Sequence, residues 1–582
     1  MDSRFELRDI SLSAERQRSA VETFLASAGL CIDAGLERML GVFTGEDELK
    51  GCAGLDGNVI KCMALSPDLR GEGIAGSLVS ELLTRAFAAG FTNVRIFTKP
   101  EYLPLFRDLG FVLCGCARNA VMLESDTSDL KRYKSYLSTL GCDGVIVANA
   151  NPCTLGHLYL IEQAASQVSR LAVIPVAEHK SNMFSYAERV EMLCAATAHL
   201  PNVIVARGSD YAVSAATFPS YFIKKASDVA EAQAELDLDV FARHLAPALG
   251  TVKRFVGTEP ADALTAAYNR TMKRLLPGRG IEVVEIERRK ESGEAVSATR
   301  VRTLLKEGNL RDALPLVPSA DLPYMLAYLA YRALVMELEL APKPGLVDPF
   351  DSGSHKDMDF ELMMKGIEAI RPYFKEISLL AMTEDELTPA SLRDTGLKGE
   401  NLMFKATGGI NTHKGAIFAM GLTVAAVTRI LTGKTTYALS AEIASLASGL
   451  HYADGTHGDS VRRLQGLPGA MDYARSGYER LFASWLPFYE SDEDSDSHRL
   501  RLLLKIISEI DDSNAVYRSG TEMAESAKSF ALDIFEHFSI EKLHTLNEDF
   551  KRCNLSHGGA ADMLSLTFFI GSVLSALPAN NL

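Results

Sequence analysis

Gly144-Val145-Ile146-Val147-Ala148-Asn149-Ala150, followed by Asn151-Pro152-Cys153-Thr154-Leu155-Gly156-His157, is the stretch on which the fold turns. Its first seven residues make a short apolar run, as a strand covered on both faces does. Beyond it, Leu158, Ile161, Ala165 and Val168 recur at spacings of three and four, which predicts a helix with one apolar face. A first strand therefore feeds a helix start at Thr154 and His157. In an open α/β sheet, ligands gather outside the carboxyl ends of the strands. Gly156 would let a phosphate approach the backbone. Thr154 offers a hydroxyl to that phosphate, and His157 can donate to an α-phosphate oxygen as charge develops on it.

A second signal lies far downstream. Val296-Ser297-Ala298-Thr299-Arg300 opens a helix with Val301, Leu304 and Leu305 inward and Gly308 at its end. Ser297 can cap that helix. Ser297, Thr299 and the free N–H groups would cradle β- and γ-phosphates, with Arg300 neutralising charge. Either signal alone is what an ordinary helix cap shows; in this order they point to a nucleoside triphosphate. The pair resembles the HxGH nucleotidyltransferase superfamily, with Thr154 standing where that pattern has its first histidine. Tyr186-Ala187-Glu188-Arg189, Gly208-Ser209-Asp210-Tyr211, Ala216-Thr217-Phe218-Pro219-Ser220-Tyr221-Phe222 and Phe255-Val256-Gly257-Thr258-Glu259-Pro260 are similar to segments of citrate lyase ligase. The resemblance implies a Rossmann-like α/β domain that binds ATP, with Asn151 among the binding residues. It also implies that acetate and ATP give acetyl-adenylate and pyrophosphate, helped by Mg²⁺. The acetyl group would then pass to a thiol on the lyase's acyl carrier subunit.

Toward the amino terminus, Val59 to Leu65 reads as a strand. Arg70-Gly71-Glu72-Gly73-Ile74-Ala75 follows, then a helix with Leu78, Leu82, Leu83 and Phe87 apolar, closing at Gly90. Glycines ahead of a helix leave N–H groups free for an anion. Arg70, Gly71, Gly73 and Ala75 resemble the acyl-CoA loop of GNAT acetyltransferases, and Phe106-Arg107-Asp108-Leu109-Gly110-Phe111 resembles a late element of that fold. Citrate lyase ligases also carry such a domain at this end. A helix cap is the plain structural alternative.

Toward the carboxy terminus, long helix-like stretches dominate and clear strands are scarce. Loops interrupt them: Pro342-Lys343-Pro344-Gly345-Leu346-Val347-Asp348, Gly353-Ser354-His355-Lys356-Asp357-Met358-Asp359 and Thr407-Gly408-Gly409-Ile410-Asn411-Thr412-His413-Lys414-Gly415. Thr456-His457-Gly458-Asp459, Asp511-Asp512-Ser513-Asn514 and Ser556-His557-Gly558-Gly559-Ala560-Ala561-Asp562 follow. Any single Asp here reads as a helix cap, but caps do not need His and Lys alongside. Lys343, Lys356 and Lys414, with Gly408 and Gly409, suit a polyphosphate. Asp357 and Asp359 are candidate catalytic groups, and Asp459, Asp511 and Asp512 candidate Mg²⁺ ligands. These loops resemble triphosphoribosyl-dephospho-CoA synthase. Two departures are Gly466-Leu467-Pro468-Gly469-Ala470, where the family pattern has an Arg between Gly and Ala, and Ser556-His557-Gly558-Gly559, in place of a Ser-Pro-Gly-Gly pattern. The resemblance implies that the triphosphoribosyl group of ATP moves to the 2′-hydroxyl of dephospho-CoA, with release of adenine.

The expected architecture is multidomain: a GNAT-like α/β domain over 1–135, a Rossmann-like HxGH nucleotidyltransferase domain over 136–318, and an all-α domain over 319–582. The clearest boundary is Leu314-Pro315-Leu316-Val317-Pro318-Ser319-Ala320-Asp321-Leu322-Pro323, with its three prolines. A chain of 582 residues has room for three to five domains. With 75 acidic against 60 basic residues, the net charge of -15 argues against a nucleic-acid binder. The apolar run Met563–Leu577 is too short for a bilayer, and the mixed-charge start is no secretory signal. Nine cysteines in so long a chain fit the reducing cytoplasm. The favoured reading is a cytoplasmic bifunctional enzyme of citrate lyase maturation. The same chemistries serving malonate decarboxylase, and a coenzyme A or NAD adenylyltransferase, are the alternatives.

Overall fold

The structure is a computed structural model that describes residues 5–33, 35–36, 38–69, 71–177, 183–212, 218, 222, 226–259, 262–291, 294–451, 467–492 and 494–581. The chain divides into two compact units, Met1–Val296 and Ser297–Leu582. The division falls ahead of the proline-rich stretch. That stretch forms two short 3-10 turns, Leu314–Leu316 and Ser319–Asp321, before a long helix begins at Leu322.

The amino-terminal unit holds two sheets. In the first, β1 (Phe5–Ser11), β2 (Arg38–Thr44), β3 (Leu49–Asp56), β4 (Val59–Leu65), β5 (Arg95–Thr98), β6 (Val112–Cys116) and β7 (Val121–Glu124) run in the order β1-β2-β3-β4-β5-β7-β6. All neighbours are antiparallel except β4 and β5, which are parallel and pair only at Val59↔Arg95 and Ile60↔Ile96. The strands part after that, and the chain between them turns through Gly71 and Gly73 into the helix Ile74–Ala88. Alternate residues face opposite ways, as the pleat requires. Leu40, Ala53, Ile96 and Val121 join Leu78, Val79 and Leu82 of that helix in one core. The buried stripe is thus Ile74, Leu78, Val79, Leu82 and Ala86; Phe87, expected inward, is exposed.

The second sheet is parallel throughout. β8 (Gly144–Ala148), β9 (Leu171–Pro175), β10 (Val203–Val205), β11 (Lys253–Gly257) and β12 (Glu282–Ile286) run in the order β10-β9-β8-β11-β12. The order reverses between β8 and β11, where such sheets open a crevice. The other face of the first sheet, with Met39, Cys52, Phe97 and Met122, shares one hydrophobic core with Val145, Ala172, Leu236 and Phe241 around the second.

Buried polar contacts tie the two sheets as well. Arg95 Nε donates to Glu124 Oε1 at 3.1 Å and Nη1 to Asp210 Oδ2 at 3.0 Å, with the guanidinium over the Tyr211 ring. Asp239 accepts from Cys116 N at 2.9 Å, and His244 Nε2 meets Cys114 O at 2.7 Å. The helix Ser128–Leu140, where a soft boundary was expected, therefore joins two sheets that share a core.

The carboxy-terminal unit is helical; no strand occurs in it among the described residues. Its principal helices are Leu322–Glu339, Phe360–Thr383, Pro389–Ala406, Lys414–Leu431, Asp496–Glu509, Thr521–Glu536, Ile540–Arg552 and Gly558–Leu574. Lys414–Leu431 is rich in small residues for a steric reason. At Gly421 a Cβ would lie 1.8 Å from the Tyr373 hydroxyl, which donates to Ile417 O at 3.0 Å. This helix is long and apolar enough to cross a bilayer, yet 72% of its apolar window is buried within the unit. Gly558–Leu574 buries Leu564, Leu566, Phe568, Phe569 and Ile570 as its uninterrupted apolar run predicts.

Candidate functional site

In the amino-terminal unit the turn after β8 fixes one imidazole. Thr154 is the N-cap of the helix Leu155–Ala165, and His157 sits three residues on. Thr154 Oγ1 accepts from His157 N at 3.3 Å. His157 Nδ1 accepts from Thr154 N at 3.1 Å and lies 2.8 Å from Thr154 Oγ1. A ring nitrogen that accepts a backbone N–H carries no proton, so this hydrogen bond assigns the proton of the neutral ring to Nε2. Thr154 is 1% exposed and its hydroxyl is turned onto the imidazole. It orients His157 instead of meeting a phosphate itself.

Neighbouring residues hold the turn. Asn151 is buried and accepts from Phe184 N at 3.1 Å. Gly156 is required by packing: a Cβ there would lie 2.9 Å from Val296 O. Fully buried Arg189 donates to Asn149 O and Oδ1, both at 2.7 Å, and to Val176 O at 3.0 Å, pinning the carboxyl ends of β8 and β9 together.

A cavity of about 650 Å³ opens beside Val147, Ala148 and Asn149 at the end of β8. The helices Ala226–Val240 and Ala263–Leu275 supply Asp237, Thr265 and Tyr268 to its wall. Arg254, on β11, donates from Nη2 to Tyr268 Oη at 3.0 Å and lies over Phe241. The Tyr268 hydroxyl in turn donates to Asp237. Arg254 Nη1 is buried with no hydrogen-bond partner among the described residues. No motif announced Arg254, Tyr268 or Asp237; they meet only because the parallel sheet brings β11 beside β8.

Ser297 caps the helix Ala298–Lys306, accepting from Arg300 N at 3.2 Å, and Thr299 accepts from Arg302 at 3.0 Å. Thr299 and Arg300 are exposed, and this helix belongs to the carboxy-terminal unit. Gly71 and Gly73 both take positive φ, at 89° and 75°, and a Cβ at either would meet nothing within 4 Å. No side chain caps the helix that begins beside Ala75. Arg70 lies outside the described residues.

The carboxy-terminal loops place their residues otherwise than the pattern implied. Lys343 is 1% exposed, and its ammonium donates to Glu337 O at 2.7 Å and Glu337 Oε1 at 2.5 Å. It is a buried ion-pair partner, with no reach left for a phosphate. Gly408 and Gly409 take positive φ where the helix Pro389–Ala406 ends, and Gly409 N returns to Phe404 O at 2.8 Å. They stop a helix. Asp359 caps Phe360–Thr383 through Leu362 N at 2.9 Å. Lys356 and Asp357 are exposed, and Lys414 pairs with Glu400 at 2.9 Å while remaining half-exposed.

Asp511 pairs with Lys528 at 2.5 Å. Asp512 accepts from Asn514 N at 2.8 Å on one oxygen and from Gly559 N at 2.8 Å on the other. Asp511 Oδ1 and both oxygens of Asp512 thus already have partners. Asp459 lies outside the described residues. Among the described residues no group of three or more His, Cys, Asp or Glu is arranged to hold a metal ion.

What the unit does bring together is buried. His413 is 5% exposed, and burial, with Lys343 nearby, pushes its pKa down to about 3. Both its ring nitrogens lack a hydrogen-bond partner among the described residues, as do the Tyr478 hydroxyl and His557 Nδ1. Asp562, on the first turn of Gly558–Leu574, lies against Gly415, where a Cβ would come within 1.9 Å of its Oδ2. It accepts from Ala416 N at the start of the helix Lys414–Leu431. Burial, then Asp512 and Glu337, hold its carboxyl well above the usual carboxylate range.

Comparison with known proteins follows this geometry. Residues 143–325 match the family model described as citrate lyase ligase C-terminal domain, and residues 323–581 that of ATP:dephospho-CoA triphosphoribosyl transferase. The [citrate [pro-3S]-lyase] ligase of Escherichia coli (strain K12) is 40% identical over 329 residues, 54% of this chain and 92% of its own. The probable 2-(5''-triphosphoribosyl)-3'-dephosphocoenzyme-A synthase of Pseudomonas paraeruginosa (strain DSM 24068 / PA7) is 35% identical over 282 residues, 45% of this chain and 96% of its own. A solved structure titled putative acyl-CoA N-acyltransferase, from Klebsiella pneumoniae subsp. pneumoniae MGH 78578, covers 21% of this chain and 95% of its own at 17% identity. Its TM-score is 0.18, too low to build on. With each curated relative matched over nearly its whole length, the chain belongs to two enzyme families at once, citrate lyase ligase in its amino-terminal half and triphosphoribosyl-dephospho-CoA synthase in its carboxy-terminal half.

Proposed function

We propose that one chain carries out two steps of citrate lyase maturation in the cytoplasm. In the first, an acetate oxygen attacks the α-phosphorus of ATP, pyrophosphate leaves, and acetyl-adenylate forms. The thiol carried by the lyase's acyl carrier subunit then takes the acetyl group, and AMP leaves. His157 is suited to the adenylation, because its proton lies on Nε2 and can meet an α-phosphate oxygen as charge grows there. Thr154 holds the ring in that tautomer. The cavity beside β8 has the volume for the acetyl group and the thiol arm, and Arg254 offers a buried N–H to a carboxylate or phosphate. Asn151 and Gly156 shape the turn. The open Gly71–Gly73 turn keeps its reading as an acyl-CoA-type loop.

In the second step, ATP gives its triphosphoribosyl group to the 2′-hydroxyl of dephospho-CoA and adenine leaves. Lys356 and Lys414, on exposed loops, suit the triphosphate. Mg²⁺ is read as the ion that travels with the nucleotide. The observation that carries this function is the joining of the two family matches in a single chain. The test is mass analysis of ATP incubated with the full chain. Acetate should yield pyrophosphate, and AMP once the citrate lyase carrier is added; dephospho-CoA should yield free adenine. Absence of pyrophosphate overturns the first reading, absence of adenine the second, and acetylation of a malonate decarboxylase carrier alone overturns the client.

A further inference from the structure

The carboxy-terminal unit spends free energy on a group of polar side chains that nothing in the fold satisfies. His413, Tyr478 and His557 are each buried, at 5%, 3% and 2% exposure. Each nevertheless keeps at least one polar atom without a hydrogen-bond partner among the described residues. Leaving such a group unpaired costs about 1–3 kcal/mol, and folds rarely carry several. These three come from separate parts of the chain. Asp562 lies over Gly415, two residues along the chain from His413, and it faces Tyr478. Asp512 faces both Asp562 and His557. Glu337 faces Asp562 and pairs with Lys343, which faces His413. Asp562 itself is only partly buried.

The charge of this cluster selects which part of a donor fits. The carboxyls of Asp512 and Asp562 gather here, Glu337 is balanced by Lys343, and His413, with its pKa near 3, is uncharged at neutral pH. The Lys343 ammonium is consumed by Glu337 and that of Lys528 by Asp511 and Glu525. A triphosphate would be repelled. A sugar carbon acquiring positive charge would be stabilised, and its hydroxyls would satisfy the unpaired imidazoles and phenol.

We propose that Asp562 is the base of triphosphoribosyl transfer, taking the proton of the attacking hydroxyl at the polar cluster that also holds His413, Tyr478 and His557. This rests on the reading of the carboxy-terminal unit given above. The hydroxyl oxygen bonds to C1′ of the donor ribose as the C1′–N9 bond breaks. The electron pair of that bond leaves with adenine. The hydroxyl proton passes to Asp562 and ends on adenine, so the released base is neutral. The triphosphate stays outside the cluster, toward Lys356 and Lys414. A carboxyl held above the usual range is a better acceptor for such a proton than an exposed one.

The test uses the full chain, with circular dichroism and thermal unfolding as the control of folding and acetate-dependent pyrophosphate release as the control of the amino-terminal unit. Asp562→Asn should lower adenine release ~100–10,000-fold while pyrophosphate release is unchanged. Wild-type adenine release should fall as pH drops through a midpoint above about 4, the ordinary carboxylate value. That acid limb should vanish in Asp562→Asn. Asp562→Glu should recover part of the rate and move the midpoint. A folded Asp562→Asn chain within about ten-fold of wild type, or one that keeps the acid limb, overturns the proposal. If Asp562→Asn does not fold, a wild type without an acid limb, or an Asp562→Glu limb that has not moved, overturns it. A wild type that releases pyrophosphate but no adenine brings down the reading of the unit, and this inference with it.

Discussion

The turn after β8 and the loops of the carboxy-terminal unit carry the same kinds of residue, and the two regions use them in opposite ways. In the first, the motif residues touch: Thr154 and His157 lie in one helical turn, joined by three contacts. In the second, the conspicuous residues disperse into structural duties, with Lys343 in a buried ion pair and Asp359 and Asp512 on helix caps. The polar centre there is made from His413, Tyr478, His557 and Asp562. A parallel sheet sets a site at one strand end, so neighbours in sequence become neighbours in the site. A helical bundle builds its site from facing helices, so loop motifs mark where the chain turns and leave the chemistry to residues far apart in sequence.

Three experiments test this contrast. The largest effect is expected at Lys343. Lys343→Met should destabilise the carboxy-terminal unit by about 3–5 kcal/mol, because it strands the Glu337 carboxylate. Adding Glu337→Leu should restore most of the loss in thermal unfolding. A Lys343→Met chain as stable as wild type but weak in ATP binding would return Lys343 to the phosphate site. Next, His157→Ala should lower acetate-dependent pyrophosphate release ~100–1000-fold with adenine release unchanged. Equal loss of both activities would mean that the turn after β8 is structural.

The smallest effect is expected at Asp321. Its residue is 0% exposed, and neither carboxylate oxygen has a partner among the described residues. Burial raises its pKa well above the ordinary value. A carboxyl raised in the folded state contributes fully below its unfolded pKa, and that stability is lost as pH rises through the folded pKa. Asp321→Asn should therefore raise the unfolding temperature at pH 7 by a few degrees, about 1 kcal/mol. The gain should shrink as pH falls toward 4, the unfolded value. An equal gain at both pH values would mean that the Asp321 carboxyl titrates alike in the folded and unfolded chains, and that its burial does not shift it.

Much of the fold is legible in local pattern. Val59–Leu65 is a strand over the span its alternation predicts, and Ser297 caps its helix. Phe87 misled because hydrophobicity alone does not say which face of a helix is covered; the four-residue spacing of Leu78, Leu82 and Ala86 does. Arg189 and Arg254 were invisible as site residues, since an arginine reads as surface until a sheet order buries it. Asp562 stood in a quoted loop, yet nothing local distinguishes it from Asp512. What separates them is that Asp512 has backbone donors on both oxygens, one of them in its own turn, while the partners of Asp562 at Gly415 and Ala416 all come from another helix.

The core that the two sheets of the amino-terminal unit share has a consequence during synthesis. β1 to β7 leave the ribosome before the second sheet, with their Phe97 and Met122 face covered only by what the helix Glu15–Ser27 supplies. The rest of its cover, including Leu236 and Phe241, belongs to a segment that follows more than a hundred residues later. At 5–20 residues per second that delay is on the order of ten seconds. Arg95 and Glu124 wait through the same interval for Asp210 and Tyr211. The nascent first sheet is therefore the part of this chain most in need of a chaperone, and slowing translation between β7 and the helix Ala226–Val240 should cost more soluble protein than slowing it anywhere in the helical half.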